Sequence, residues 1–95
     1  MNKDLQSLSE VQEVIENDLA LITYFYSDNC APCISLRPKV VELVCDRFPK
    51  IKMFFIDSVA HPEISGKYGV FSMPTLILYF EGKEYSRKSK YMAIP

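Results

Sequence analysis

Three stretches of this chain are almost unbroken runs of aliphatic, β-branched and aromatic residues: "LALITYFYS" (19–27), "IKMFFID" (51–57) and "TLILYF" (75–80). A strand with one face in water alternates apolar and polar residues. Runs without that alternation read as strands covered on both faces. The segments between them show helical spacing instead, and this succession predicts an α/β domain, a central sheet flanked by helices. The 95 residues suffice for a single domain spanning 1–95. With 48% of them apolar, that domain can bury a core without disulfide staples.

"SLSEVQEVIEND" reads as the first helix, with Leu8, Val11, Val14 and Ile15 on one face. Ser7 with Glu10, or Ser9 with Gln12, fits a capping box. The longest helical segment runs from Cys33 to Phe48. Steps of about 100° per residue gather Ser35, Lys39, Glu42 and Asp46 into a solvent face. Leu36, Val40, Val41, Leu43, Val44, Cys45 and Phe48 fill an apolar arc roughly 200° wide. Arg37 and Arg47 intrude on that arc and are expected to reach out to water. Pro38 removes one backbone bond and is expected to kink the helix near its start. Cys45, at the edge of the arc, is expected to be inert packing. "HPEISGKYG" suggests a short third helix closed by Gly69, with His61 in the turn before it. "FEGKEYS" reads as a hairpin turn at Gly82 into a last strand whose lysines and arginines guard a sheet edge.

The net charge of −1 and the lack of a basic block give no electrostatic reason to expect nucleic acid or an anionic membrane as partner. No apolar run approaches the roughly 18 residues of a membrane span. The first residues, "MNKDLQSLSE", lack the apolar stretch of a secretion signal. The expected location is therefore cytoplasmic, where thiols are kept reduced.

Chemistry concentrates in "SDNCAPCISLRP" (27–38), where Cys30 and Cys33 lie two residues apart. Three readings compete. A structural zinc needs four ligands, and Cys30, Cys33, Cys45 and His61 supply that number. On one helix, however, Cys33 and Cys45 stand about 18 Å apart and cannot share an ion. Two chains joining their cysteine pairs around one metal or cluster is the form of that reading that survives. The second reading is a pair of buried thiols that simply pack. The third is redox chemistry. Cys30 falls where a strand has ended and a helix begins, so its sulfur meets unpaired N–H groups and the positive end of the helix dipole. Both favour thiolate, the nucleophile of disulfide exchange. Cys33, one turn on, is placed to attack the resulting mixed disulfide. Pro32 suits the first turn of a helix.

"CAPC", Pro38 in the following helix, "FFID", "KYGV", "SMPTLILYF" and the turn "EGK" occur in one order along nearly the whole chain. In that combination the sequence resembles the thioredoxin family. The resemblance implies a thioredoxin fold and a thiol–disulfide oxidoreductase that reduces protein disulfides with no bound cofactor and no metal. It implies that Cys30 is the exposed nucleophile and Cys33 the buried resolving thiol. Pro74 would be a cis proline facing the pair, and the Met73 backbone would pair with an extended substrate segment. Asn29, Ala31 and Pro32 would share in that contact. Electrons would come from a flavoprotein thioredoxin reductase.

Four departures qualify the resemblance. Asn29 and Ala31 replace the tryptophan and glycine of the usual Trp-Cys-Gly-Pro-Cys motif. Asp28 places a carboxylate two residues before Cys30, as a thiolate opponent, a helix cap or an exposed loop acid. The buried aspartate and lysine that serve the resolving thiol are here Tyr24 and Met53. A phenol with an ordinary pKa near 10 is a poor base at neutral pH, so activation of Cys33 is expected to fall to water or a peripheral carboxylate. The family also closes with a helix over one sheet face, whereas this sequence stops at "YMAIP". The C-terminal helix is read as absent or truncated, and homodimers through an uncovered apolar face are expected. The rival function is a catalytically weak thioredoxin-fold binding or adaptor module.

Overall fold

A computed structural model of the chain describes residues 2–89. The elements follow the order β1 (Asn2–Asp4), α1 (Leu8–Asn17), β2 (Ala20–Tyr26), α2 (Ala31–Arg47), β3 (Lys52–Asp57), α3 (Pro62–Lys67), β4 (Thr75–Phe80) and β5 (Lys83–Lys88). The strands form one mixed sheet in the order β1-β3-β2-β4-β5. β2 runs parallel to β3 and antiparallel to β4, with Tyr24 level with Phe55 on one side and Leu76 on the other. The three apolar runs are thus the three inner strands.

Successive residues of a strand face opposite sides of the sheet, and along β2 and β3 both sides are covered, while Leu78 and Phe80 of β4 stay partly open. Leu21 and Phe25 of β2 join Phe54, Ile56 and Ile77 in a core closed by Val11 and Ile15 of α1 and Ile64 of α3. Tyr24, Met53 and Phe55 point the other way, against Cys33, Val40 and Val44 of α2. Buried residues follow one another along β2 and β3, so these two strands lose the period-two signature of a half-exposed sheet, which β4 keeps.

The local signals are realised with adjustments. Ser7 is the N-cap of α1 and accepts from the Glu10 N–H at 3.2 Å. Glu10 reaches back one residue further than a capping box requires, to the Gln6 N–H at 2.6 Å. Gly69 (φ 66°) follows α3, and Glu81 (φ 52°) with Gly82 (φ 81°) makes the two-residue turn between β4 and β5. Two positive φ values in succession suit the twist of a tight hairpin. β5, with its Lys83, Arg87 and Lys88, is an edge strand as expected. Arg87 also donates to the Tyr68 and Gly69 carbonyls at 2.8 and 3.0 Å, tying that edge to the end of α3.

Several expectations are corrected. β1 has no counterpart in the sequence reading. Its three polar residues become a strand by pairing with β3, from Asn2 beside Met53 to Asp4 beside Phe55. α2 starts at Ala31, two residues before the expected start, and continues through Pro38 to Arg47. Its buried face is narrower than 200°: Phe48 is 53% exposed, and Cys45 is an exposed free thiol and not a packing residue. A helix lying on one sheet contacts it along a stripe, so residues at the edge of the apolar arc stay in water. Arg37 reaches water only in part. Its guanidinium lies 3.7 Å from the centre of the Phe55 ring and 3.2 Å from an Asp4 carboxylate oxygen. The expected lack of a closing helix falls on residues 90–95, outside the described residues.

Candidate active site

The strand-to-helix junction after β2 places the cysteine pair. The chain leaves β2 at Tyr26, turns with the Cys30 N–H donating to the Ser27 carbonyl at 3.2 Å, and enters α2 with Cys30 as its N-cap. The Cys30 sulfur accepts from the Cys33 N–H at 3.2 Å. An N–H at a helix start aimed at sulfur stabilises the thiolate whenever the disulfide opens. Cys30 and Cys33 are joined as a disulfide with Cα atoms 5.2 Å apart. Cys30 is half-buried, and Cys33 is 1% exposed, beneath the first turn of the helix. Asp28 and Asn29 lie exposed in the loop before the pair; the cap is Cys30, so Asp28 does not hold that role. Ala31 and Pro32 are exposed above it, with Pro32 in the first helical turn.

The loop before β4 supplies the opposite wall. The Met73–Pro74 bond is cis, Pro74 is buried, and the Met73 carbonyl oxygen stands 3.7 Å from the Cys30 sulfur. The Thr75 hydroxyl donates to the Ser72 carbonyl at 2.7 Å and braces this loop. Beside Met73, an open cleft of about 290 Å³ runs between the loop and α3, lined by Pro62, Gly66, Val70 and Phe71 among others. Phe71 is 89% exposed, and Ile34, just past Cys33, is 61% exposed. The sequence reading missed both. Apolar letters next to a strand and within a helix read as core, and only the packing shows that they face water beside the pair.

Beneath Cys33 lies the replaced proton-handling pair. Tyr24 is fully buried, and its hydroxyl donates to the Cys33 carbonyl at 2.8 Å. Burial pushes the Tyr24 phenol up to about 12, partly opposed by the charge of Arg37, so the group stays protonated through neutral pH. It is a fixed donor to the helix and no base. Met53, 1% exposed, completes that wall with a thioether. Across the sheet surface, Arg37 lies over Phe55 and, at 5.1 Å, over the Tyr26 ring. Tyr26 donates its hydroxyl to Asp4, so the Asp4 carboxylate is held by both the phenol and the guanidinium. His61 sits half-buried at the start of α3, 3.1 Å from the Gln6 side chain. Among the described residues, no cluster of three or more His, Cys, Asp and Glu side chains has the arrangement of a metal site.

The arrangement can close and open a disulfide at a protein surface. A sulfur at a helix start faces a carbonyl on a cis-proline loop, and its partner thiol is sheltered from solvent. Comparison with known proteins agrees. The family model described as Thioredoxin matches residues 5–93. A thioredoxin of Rickettsia bellii is 32% identical over 88 residues, covering 93% of this chain and 84% of that protein. One from Porphyra purpurea is 36% identical over 73 residues, 76% of this chain and 67% of that one. The crystal structure of oxidised mitochondrial thioredoxin 3 from Saccharomyces cerevisiae superposes with a TM-score of 0.84 at 26% identity, covering 90% of this chain and 80% of that one.

Proposed function

The chain belongs to the thioredoxin family and is a thiol–disulfide oxidoreductase, and from that premise we propose how its residues divide the work. The Cys30 thiolate attacks one sulfur of a substrate disulfide. A mixed disulfide forms, and the other substrate sulfur leaves as a thiolate that takes a proton. Cys33 then gives up its proton, and its thiolate attacks the Cys30 sulfur. The Cys30–Cys33 bond forms, the bond to substrate breaks, and the second substrate sulfur departs and is protonated. Two electrons pass from the dithiol to the substrate, with no bound cofactor needed. The observation that carries this division is the difference in access: Cys30 is half-buried at the helix start, and Cys33 lies 1% exposed beneath it.

The substrate is a disulfide-bearing protein segment lying along the Met73 backbone. Asn29, Ala31 and Pro32 meet it from the helix side and Pro74 from the loop side. The proximity of the Met73 carbonyl to the Cys30 sulfur supports this placement. A flanking apolar side chain of the substrate enters the cleft beside Phe71, which offers the aromatic contact that Asn29 does not. A flavoprotein thioredoxin reductase returns the electrons. The chain acts as one domain, in the cytoplasm. The chain self-associates as a homodimer through the apolar cleft of about 400 Å³ lined by Ala20, Ile51, Leu78, Phe80 and Tyr85.

Reduction of insulin with dithiothreitol as electron source tests the catalytic reading against the adaptor reading. The native chain is expected to accelerate precipitation of the insulin B chain, and Cys30→Ser to abolish the acceleration. No acceleration by the native chain would reject the division of work set out above.

A further inference from the structure

Resolution requires a thiolate at Cys33, in a place that disfavours one. Cys33 is 1% exposed, and burial raises a thiol pKa. Its neighbours Tyr24 and Met53 offer no base and no charge. Tyr24 has already committed its proton to the Cys33 carbonyl. The first charged residue along the helix is Arg37, one turn after Cys33. Residues four apart on a helix are neighbours, and a long side chain leans back toward the N-terminus, over the turn that holds residue i−4.

Arg37 is held there by more than the helix. Its guanidinium lies 3.7 Å from the centre of the Phe55 ring, and that ring packs 5.6 Å from the ring of Tyr24, whose hydroxyl touches Cys33. Asp4 accepts from Arg37 at 3.2 Å and is fixed in turn by the Tyr26 hydroxyl. Arg37 is 36% exposed, so the cation keeps part of its hydration while its flat face lies on the core. A planar guanidinium suits stacking of this kind, which an ammonium does not reproduce.

We propose that Arg37 is a positioning residue of the exchange reaction: stacked on Phe55 and anchored by Asp4, it supplies the positive field that lets the buried Cys33 thiol ionise. It does so where the chain lacks a buried acid and amine. The inference rests on Cys33 being the resolving thiol. The charged and titratable groups of this cluster are Cys30 at the N-cap, Arg37 from α2, Tyr24 and Tyr26 from β2, Asp4 from β1 and Asp57 at the end of β3, whose charge acts on Tyr26. Asp57 is engaged with the Val59 and Ala60 N–H groups at 3.0 and 3.1 Å. Asp4 opposes Arg37, so the effect at Cys33 is the difference between two opposed charges.

The test titrates Cys33 by its thiolate ultraviolet absorbance in a Cys30→Ser, Cys45→Ser background, which leaves it the only thiol. Arg37→Gln and Arg37→Met, two neutral replacements of different polarity, are each expected to raise the midpoint by about one unit, a tenfold loss of thiolate at neutral pH. Arg37→Lys is expected to recover at least half of that shift. With Cys30 present, release from a Cys30 mixed disulfide slows about tenfold in the neutral variants at pH 7 and converges on the parent rate at a pH where Cys33 is fully ionised in variant and parent alike. A midpoint that moves less than about 0.3 unit in whichever neutral variant folds, or a lysine variant that matches methionine, overturns the proposal. Failure of Cys33 as resolving thiol is seen separately, as a Cys33→Ser variant that does not accumulate mixed disulfide.

Discussion

Tyr24 shows how one residue changes the chemistry of this site without changing its geometry. Its hydroxyl holds the first turn of α2 through the Cys33 carbonyl, and its raised pKa keeps it a donor. Tyr24→Phe is expected to cost about 1 kcal/mol in denaturant unfolding, the net value of one buried hydrogen bond. Tyr24→Asp introduces a base beneath Cys33. It is expected to quicken release from a Cys30 mixed disulfide several-fold at pH 7 in stopped-flow fluorescence. It also lowers stability by about 2–4 kcal/mol, because a carboxylate and the space left by a ring replace a bonded phenol. An unchanged release rate in a folded Tyr24→Asp variant would show that proton transfer from Cys33 does not limit the native chain. The sequence announced the missing carboxylate at this position. It did not announce the bond from the phenol to Cys33, or the Arg37 stack, because both join residues of different elements that only packing brings together.

At the scale of elements, sequence signals were strongest where local chemistry decides the structure. Ser7 caps α1, and Ser7→Ala is expected to lower stability by about 1 kcal/mol, read from the midpoint of thermal or urea unfolding. The turn at Gly82 and the break at Gly69 were legible because each needs positive φ. β1 was not, since Asn2–Asp4 gains strand form from β3 and not from its own pattern. The outer edge of α2 was misjudged for a related reason: a helical wheel shows which residues share a face but not how much of that face a sheet covers. Cys45 follows from this correction. A maleimide added to the native, oxidised protein is expected to modify one cysteine, Cys45, with the pair protected as a disulfide.

For the molecule as a whole, the sheet carries phenols whose protonation is coupled to folding. Burial pushes Tyr24 and Tyr26 each up to about 12, and the bond to Asp4 adds to the shift of Tyr26. An unfolded tyrosine titrates near 10. Below about pH 10 both phenols are protonated in either state, and their contribution to stability is complete. As pH rises through about 12 the unfolded chain loses those protons more readily, so the contribution disappears. Thermal melting temperatures are therefore expected to be insensitive to these groups at neutral pH and to fall steadily above about pH 10. Sedimentation is expected to show a concentration-dependent dimer; a monomer at every concentration would remove the apolar cleft at Ala20, Leu78 and Phe80 from the account. Covalent trapping addresses the division of labour between the two sulfurs most directly. Cys33→Ser, mixed with a disulfide-bonded protein and quenched with acid, is expected to accumulate a mixed disulfide through Cys30, identified by mass spectrometry. Cys30→Ser under the same conditions is expected to form none through Cys33. Equal trapping through Cys33, or none in either variant, would contradict the assignment of Cys30 as nucleophile and Cys33 as resolving thiol.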